Sequence, residues 1–69
     1  MAYKIYGDYG LPTQNLLEEF GWLQDARQWL LGYTTYDFGG YENIYIVGED
    51  GGIYQAMYAE DYAWEDEDA

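Results

Sequence analysis

Hydrophobic and polar positions are most legible between Tyr41 and Tyr58, YENIYIVGEDGGIYQAMY, where two runs rich in Val, Ile and Tyr flank the segment GEDGG. Such β-prone arms around a glycine-rich break predict a β-hairpin. Asp50-Gly51 or Gly51-Gly52 at the central positions supplies the positive φ of a type I′ turn. Either placement, or Glu49-Asp50, keeps the same parity, so even positions of the first arm share a face with odd positions of the second. One face carries Ile44, Ile46, Ile53 and Met57 with Gln55, and the other Asn43, Tyr45, Val47, Tyr54, Ala56 and Tyr58. A three-residue loop with a bulge would change this pairing, and the separation of aliphatic from tyrosine positions argues against it. The aliphatic face is expected to form core. The tyrosine face, whose phenols join an apolar body to a polar tip, is expected either to stay half-wet and open to a partner or to cover a second packed element.

Before the hairpin, Ala2 to Gly10 reads as a short strand with Tyr3 and Ile5 on one side and Lys4 and Tyr6 on the other, ending in turn residues from Gly7 onward, Asp8 among them. Pro12 biases Leu11 toward extended geometry in a connector. Residues Gln14 to Leu31 admit two readings. One is a single helix capped by Thr13, which sets Gly21 in its interior at about 1 kcal/mol relative to Ala. The other, preferred, is a strand over Asn15 to Phe20, a break at Gly21 and a helix from about Trp22 to Leu31. That helix has an apolar stripe of Trp22, Ala26, Trp29 and Leu30 with Leu23 at its edge, and Gly32 stands as its C′ residue. Tyr33 to Gly40 reads as a loop. The sum is an α+β fold, a small antiparallel sheet with one helix packed on one face, ordered β-β-α-β-β, or β-α-β-β if the longer helix forms. Residues 1–59 form one domain and 60–69 an acidic C-terminal tail.

Composition changes the picture through charge. Fourteen Asp and Glu stand against Lys4 and Arg27, giving −12 over 69 residues. Six acids lie from Glu60 onward, and eight acids less two bases precede it, so each part carries −6. Self-repulsion of this size weakens a small fold and asks for a reason beyond architecture. Direct binding to nucleic acid or to an anionic membrane is not expected, since both need Lys and Arg. No apolar run approaches the roughly 20 residues of a membrane span and no signal-peptide pattern is visible, so the expected location is cytoplasmic. Without Cys no disulfide can staple the chain, and three Trp, ten Tyr and two Phe supply the burial instead.

Candidate chemistry is sparse. The chain has no His, Cys or Ser, which removes the usual general base at neutral pH and the commonest nucleophiles, so no catalytic residue is assigned and an enzyme is not expected. Glu18-Glu19 on a strand would point to opposite faces. Neither GEDGG nor DFGGYE has the spacing of an EF-hand loop, and GEDGG lacks the Lys and hydroxyl of a phosphate loop, so no metal or cofactor is assigned.

A domain of this length has a diameter of roughly 28 Å, a span over which duplex DNA carries about 16 charges. Fourteen acids approach that density. Carboxylates at i and i+2 of a strand stand roughly 6.5 Å apart, near the repeat of a phosphodiester backbone. In small size, strong acidity, tyrosine richness and want of catalytic groups the chain resembles the phage-encoded DNA mimics that block restriction or CRISPR machinery, the anti-restriction and anti-CRISPR proteins. The likeness lies in these bulk properties and assigns no individual residue. It implies an inhibitor acting in a host cytoplasm on the basic channel of a nucleic-acid-binding complex. The acids expected to meet Arg and Lys of the partner are Glu42, Glu49 and Asp50 on the hairpin and Glu60, Asp61, Glu65, Asp66, Glu67 and Asp68 after it. Tyr45, Tyr54 and Tyr58 are the expected desolvated anchors. The alternative is an acidic adaptor module, monomeric or a homodimer, whose apolar and tyrosine faces bind another protein while its charge serves solubility.

Overall fold

The computed structural model describes residues 2–34 and 39–61. Its elements run β1 (Tyr3–Gly7), β2 (Asn15–Phe20), α1 (Leu23–Tyr33), β3 (Asn43–Gly48), β4 (Ile53–Tyr58) and a 3₁₀ turn at Ala59–Asp61. The strands form one antiparallel sheet in the order β2-β1-β3-β4, with α1 across one face. This is the β-β-α-β-β arrangement, and Asn15–Phe20 is a strand.

Alternation fixes which side is buried. Ile5 stands opposite Ile46 and Gly7 opposite Ile44, so these side chains share the helix-facing side. Ile5, Ile44 and Ile46 are fully buried there with Ala26 and Leu30 of α1. Tyr3, Leu17, Phe20, Leu23, Trp29, Tyr33, Tyr41, Tyr54 and Met57 pack around this cluster. Aromatics thus form most of the core's perimeter: Trp29 stacks on Tyr33 at 4.9 Å and meets Phe20 at 6.3 Å. In β2 the register shifts opposite Ile5 and Tyr6, which leaves Leu17 as an extra residue turned toward the core and Glu18 exposed.

The hairpin turn differs from the expected type. Gly51 N–H donates to Gly48 C=O at 2.9 Å and Gly48 N–H to Gly52 C=O at 2.8 Å, and within the turn only Gly51 has positive φ, at 83°. The loop therefore comprises Glu49, Asp50 and Gly51, with Gly51 in the left-handed region, a three-residue hairpin rather than a type I′ turn. Asp50 favours it by accepting Gly52 N–H on Oδ1 at 3.0 Å. This loop puts Val47 opposite Ile53. A bulge at Tyr54 then restores the anticipated parity, with Ile46 opposite Gln55, Tyr45 opposite Ala56, Ile44 opposite Met57 and Asn43 opposite Tyr58. Two offsets of one residue cancel. Between them, Ile53 and Tyr54 exchange sides: Ile53 lies with Val47 on the open face, 46% exposed, while Tyr54 packs on the core against Tyr3 at 5.3 Å.

The helix also departs from expectation at its ends. Trp22 is the N-cap residue, extended and 74% exposed, so it leaves the apolar stripe that Ala26, Trp29 and Leu30 maintain. At the other end Gly32 is helical, and Thr34 closes the helix through its N–H and its Oγ1, both donating to Leu30 C=O at 3.0 and 2.9 Å. A Cβ at Gly32 would meet no atom within 4 Å. Gly32→Ala is therefore expected to stabilise the domain by about 0.5–1 kcal/mol by restricting the unfolded chain. Thermal unfolding followed by circular dichroism checks this as a rise in Tm of several degrees.

Candidate functional site

Among the described residues α1 covers one side of the sheet, and the strand pairings place Leu16, Lys4, Tyr6, Tyr45, Val47, Ile53, Ala56 and Tyr58 on the other. Tyr6 and Tyr45 are directly opposed on adjacent strands. Tyr9, from the loop after β1, lays its ring between them, 5.3 Å from Tyr6 and 5.4 Å from Tyr45. Its backbone N–H donates to Asn43 Oδ1 at 2.8 Å, which fixes the loop over the sheet. Tyr45 meets Tyr58 edge-on at 5.9 Å, and their hydroxyls are hydrogen-bonded at 2.7 Å. The result is a continuous ladder, Tyr6-Tyr9-Tyr45-Tyr58, running diagonally from β1 to the edge strand β4. The Tyr58 hydroxyl, followed by partial burial, pushes the Tyr45 phenol above its ordinary value, so Tyr45 stays neutral at physiological pH.

Of the three tyrosines expected as anchors, Tyr45 and Tyr58 stand together on this face. Tyr54 does not. The bulge turns it to the helix side, where its hydroxyl donates to Asp50 Oδ2 at 3.2 Å. Tyr6 and Tyr9 replace it. Alternation along β1 sets Tyr6 on the other face from Ile5, but nothing in the sequence ties the loop residue Tyr9 to β3.

Apart from Glu18 and Glu19 within β2 and Asp25 in the first turn of α1, the described acids lie in turns and loops at the two ends of the sheet. Glu49 and Asp50 lie at the hairpin tip, and the pairing of Tyr3 with both Phe20 and Gly48 puts Glu18 and Glu19 toward the same end. Glu49 Oε1 accepts Ala2 N–H at 3.0 Å. The Gly52 N–H, with help from Tyr54, holds the Asp50 carboxyl below its ordinary value, so Asp50 is charged at neutral pH. Glu42 and Glu60 lie at the opposite end, about 20 Å away along a six-residue strand. There Leu11, Glu42, Asn43, Tyr58, Ala59 and Glu60 line an open hollow of about 420 Å³ that adjoins the last ring of the ladder. Asp61 ends the 3₁₀ turn beside it. Glu65, Asp66, Glu67 and Asp68 lie outside the described residues.

Both cations have defined surroundings. Arg27 on α1 donates from Nε to Gln55 Oε1 at 3.2 Å and from a terminal nitrogen to Tyr54 C=O at 3.5 Å, tying the helix to the bulged edge strand. Lys4 stands between Glu19 and Val47 on the open face. Asp8 is a buried structural acid rather than a surface charge, accepting Thr13 Oγ1–H at 2.6 Å and Glu42 N–H at 2.7 Å. Among the described residues, no three Asp or Glu are grouped so as to hold a metal ion, and no helix is long and apolar enough to cross a membrane. No protein-family model, curated protein or solved structure matches the chain.

Proposed function

We propose that the protein is an acidic inhibitor that enters the basic nucleic-acid channel of a host defence complex, of the restriction or CRISPR kind, and blocks DNA or RNA there. The observation that carries this reading is the −12 charge on a chain of 69 residues whose only bases are Lys4 and Arg27. No fold requires such a charge, and a channel lined by Arg and Lys is the surface that would use it. The acidic ends supply long-range attraction. The tyrosine face between them supplies apolar contact area that charge alone does not. Within this reading Glu42, Glu49, Asp50 and Glu60 act as phosphate substitutes, together with the acids of residues 61–69.

The test is competition. Against purified restriction and CRISPR effector complexes, the protein is expected to be displaced by duplex DNA and to lose affinity at least tenfold between 50 and 200 mM salt, as phosphate contacts do. Removal of residues 60–69, which deletes six acids, is expected to weaken binding by a similar factor. Simultaneous binding of DNA and protein, or an affinity indifferent to salt, overturns the reading. The exposed Leu16 and Ile53 of the open face favour a second reading, an adaptor or homodimer joined through that face. Light scattering at the same two salt concentrations separates them, since a dimer burying this face is expected to tighten as salt screens the −12 charge.

A further inference from the structure

We infer that the open sheet face is an arginine-binding surface, whose occupant is an arginine-bearing segment of a basic protein laid along the ladder Tyr58-Tyr45-Tyr9-Tyr6. This rests on the reading of the chain as a ligand for a basic channel, and adds which cation the channel must present and where it is met.

Charge complementarity selects the class of occupant. A second copy of the chain would bring another −12 to a face already bracketed by acids at both ends. A cationic segment is drawn to the same place from either end. The character of the face then separates arginine from lysine. Successive rings stand 5.3, 5.4 and 5.9 Å apart between centroids, and all three pairs are tilted or edge-on. No pair closes into a parallel stack, and Tyr6, Tyr9 and Tyr45 are half-buried and Tyr58 exposed, so the rings offer aromatic surface on which a planar, weakly hydrated guanidinium stacks while a compact ammonium keeps its water. The Tyr45-Tyr58 hydroxyl pair uses one proton between its two oxygens, which leaves acceptor lone pairs for the guanidinium N–H fork.

The hollow at the end of the ladder completes the fit for one side chain. Leu11 and Ala59 offer apolar contact to an arginine stem, the Tyr58 ring borders it, and Glu42 and Glu60 stand at its rim. Neither carboxylate has a hydrogen-bond or ion-pair partner among the described residues, whereas Asp8, Glu49 and Asp50 are all engaged by backbone N–H groups. A carboxylate pair beside an aromatic ring matches both the charge and the stacking plane of a guanidinium.

The probes are nona-arginine and nona-lysine peptides, titrated into the full chain at 150 mM salt by calorimetry and by amide chemical shifts. Nona-arginine is expected to bind about tenfold more tightly, with shifts concentrated on Tyr6, Tyr9, Asn43, Tyr45 and Tyr58. Tyr58→Leu, an edge-strand residue already 38% exposed, is expected to remove most of the arginine preference while leaving the far-ultraviolet circular dichroism and melting point close to wild type. Glu42→Gln with Glu60→Gln is expected to weaken both peptides and keep more of the preference. Equal affinity for the two peptides, a preference untouched by Tyr58→Leu, or shifts centred on α1 overturn the proposal. Arginine preference without displacement of nucleic acid from any complex retains this inference and removes the channel reading. Displacement without arginine preference does the reverse.

Discussion

Gly48→Ala is expected to destabilise the domain by about 2–3 kcal/mol, the upper range for forcing a methyl group into a packed core. A Cβ on Gly48 would overlap the Tyr54 ring and stand 2.8 Å from Asp50 Oδ1. The ring cannot simply swing aside: its hydroxyl donates to Asp50, it meets the Tyr3 ring at right angles at 5.3 Å, and the bulge at Tyr54 fixes its backbone. Gly7 plays the same part at the other end of the core face, where a Cβ would stand 2.6 Å from the Tyr41 ring, itself held by Asn15 Nδ2–H at 2.8 Å from its hydroxyl. Both glycines let a tyrosine lie flat over a strand, and so give a small domain aromatic burial that its few aliphatics would not provide. A domain of this size has about 3–5 kcal/mol in total, so the variant is expected to be substantially unfolded at 37 °C. Urea unfolding of Gly48→Ala, Tyr54→Ala and the double variant measures the coupling. The double variant is expected to lose less than the sum of the singles. Strict additivity would mean that the ring and the missing Cβ do not compete for space.

That competition also explains what could and could not be read from the sequence. Alternation correctly placed Ile44, Ile46 and Met57 inside and Tyr45 and Tyr58 outside. It did so although the turn was read as two residues, because the extra loop residue at the tip is cancelled by the extra strand residue Tyr54. Parity was right beyond the bulge and wrong between loop and bulge, which is why Ile53 and Tyr54 were exchanged. The local chemistry favours the observed loop: Asp50 two residues before Gly52 makes a side-chain turn, and Gly51 takes the left-handed position. Trp22 and Gly32 were misplaced for a different reason. A helical stripe gives no information about which turn is the last to face the sheet, and Thr34 ends the helix two residues after the glycine that suggests a stop. For the candidate site, strand positions were legible and loop positions were not. Tyr6 and Tyr45 follow from pairing, whereas Tyr9 reaches them only because Asn43 holds its backbone. Glu49 and Asp50 lie in the turn that the glycine-rich segment marks, where Asp50 caps the Gly52 N–H, while Glu18 and Glu19 stand within β2.

Asp8→Ala is expected to cost about 2–4 kcal/mol, from the loss of two hydrogen bonds to a charged acceptor and from placing alanine at positive φ. Asp8 has φ 55° and only 7% of its surface exposed. Its two oxygens bind Thr13 Oγ1–H and Glu42 N–H, and its own N–H donates to Asn43 C=O at 2.8 Å. It therefore clasps the β1–β2 loop to the start of β3 and holds the segment from which Tyr9 and Glu42 reach the open face. Asp8→Asn is milder, at about 1 kcal/mol, because asparagine tolerates the left-handed region and its amide can donate to Thr13 while its carbonyl accepts from Glu42. The two variants separate shape from charge through pH. Thr13, then the Glu42 N–H, hold the Asp8 carboxyl below its ordinary value of 3.8 against the smaller opposing effect of burial. A carboxyl depressed in the folded state contributes stability above its unfolded value and loses it as pH falls through its folded value. The remaining charges act oppositely: from pH 7 downward, protonation of exposed acids relieves the self-repulsion of a −12 chain. Wild-type stability is therefore expected to hold or rise on mild acidification and to fall once the pH passes below 3.8. Asp8→Asn is expected to start lower at pH 7, to lack its share of that acid limb, and to converge on the wild type at the acid end. Urea midpoints from pH 7 to 2 at 0.5 M salt, where surface repulsion is screened, isolate the clasp. A constant offset between the two proteins across that range would mean that the Asp8 charge contributes nothing and that only the shape of its side chain holds the loop.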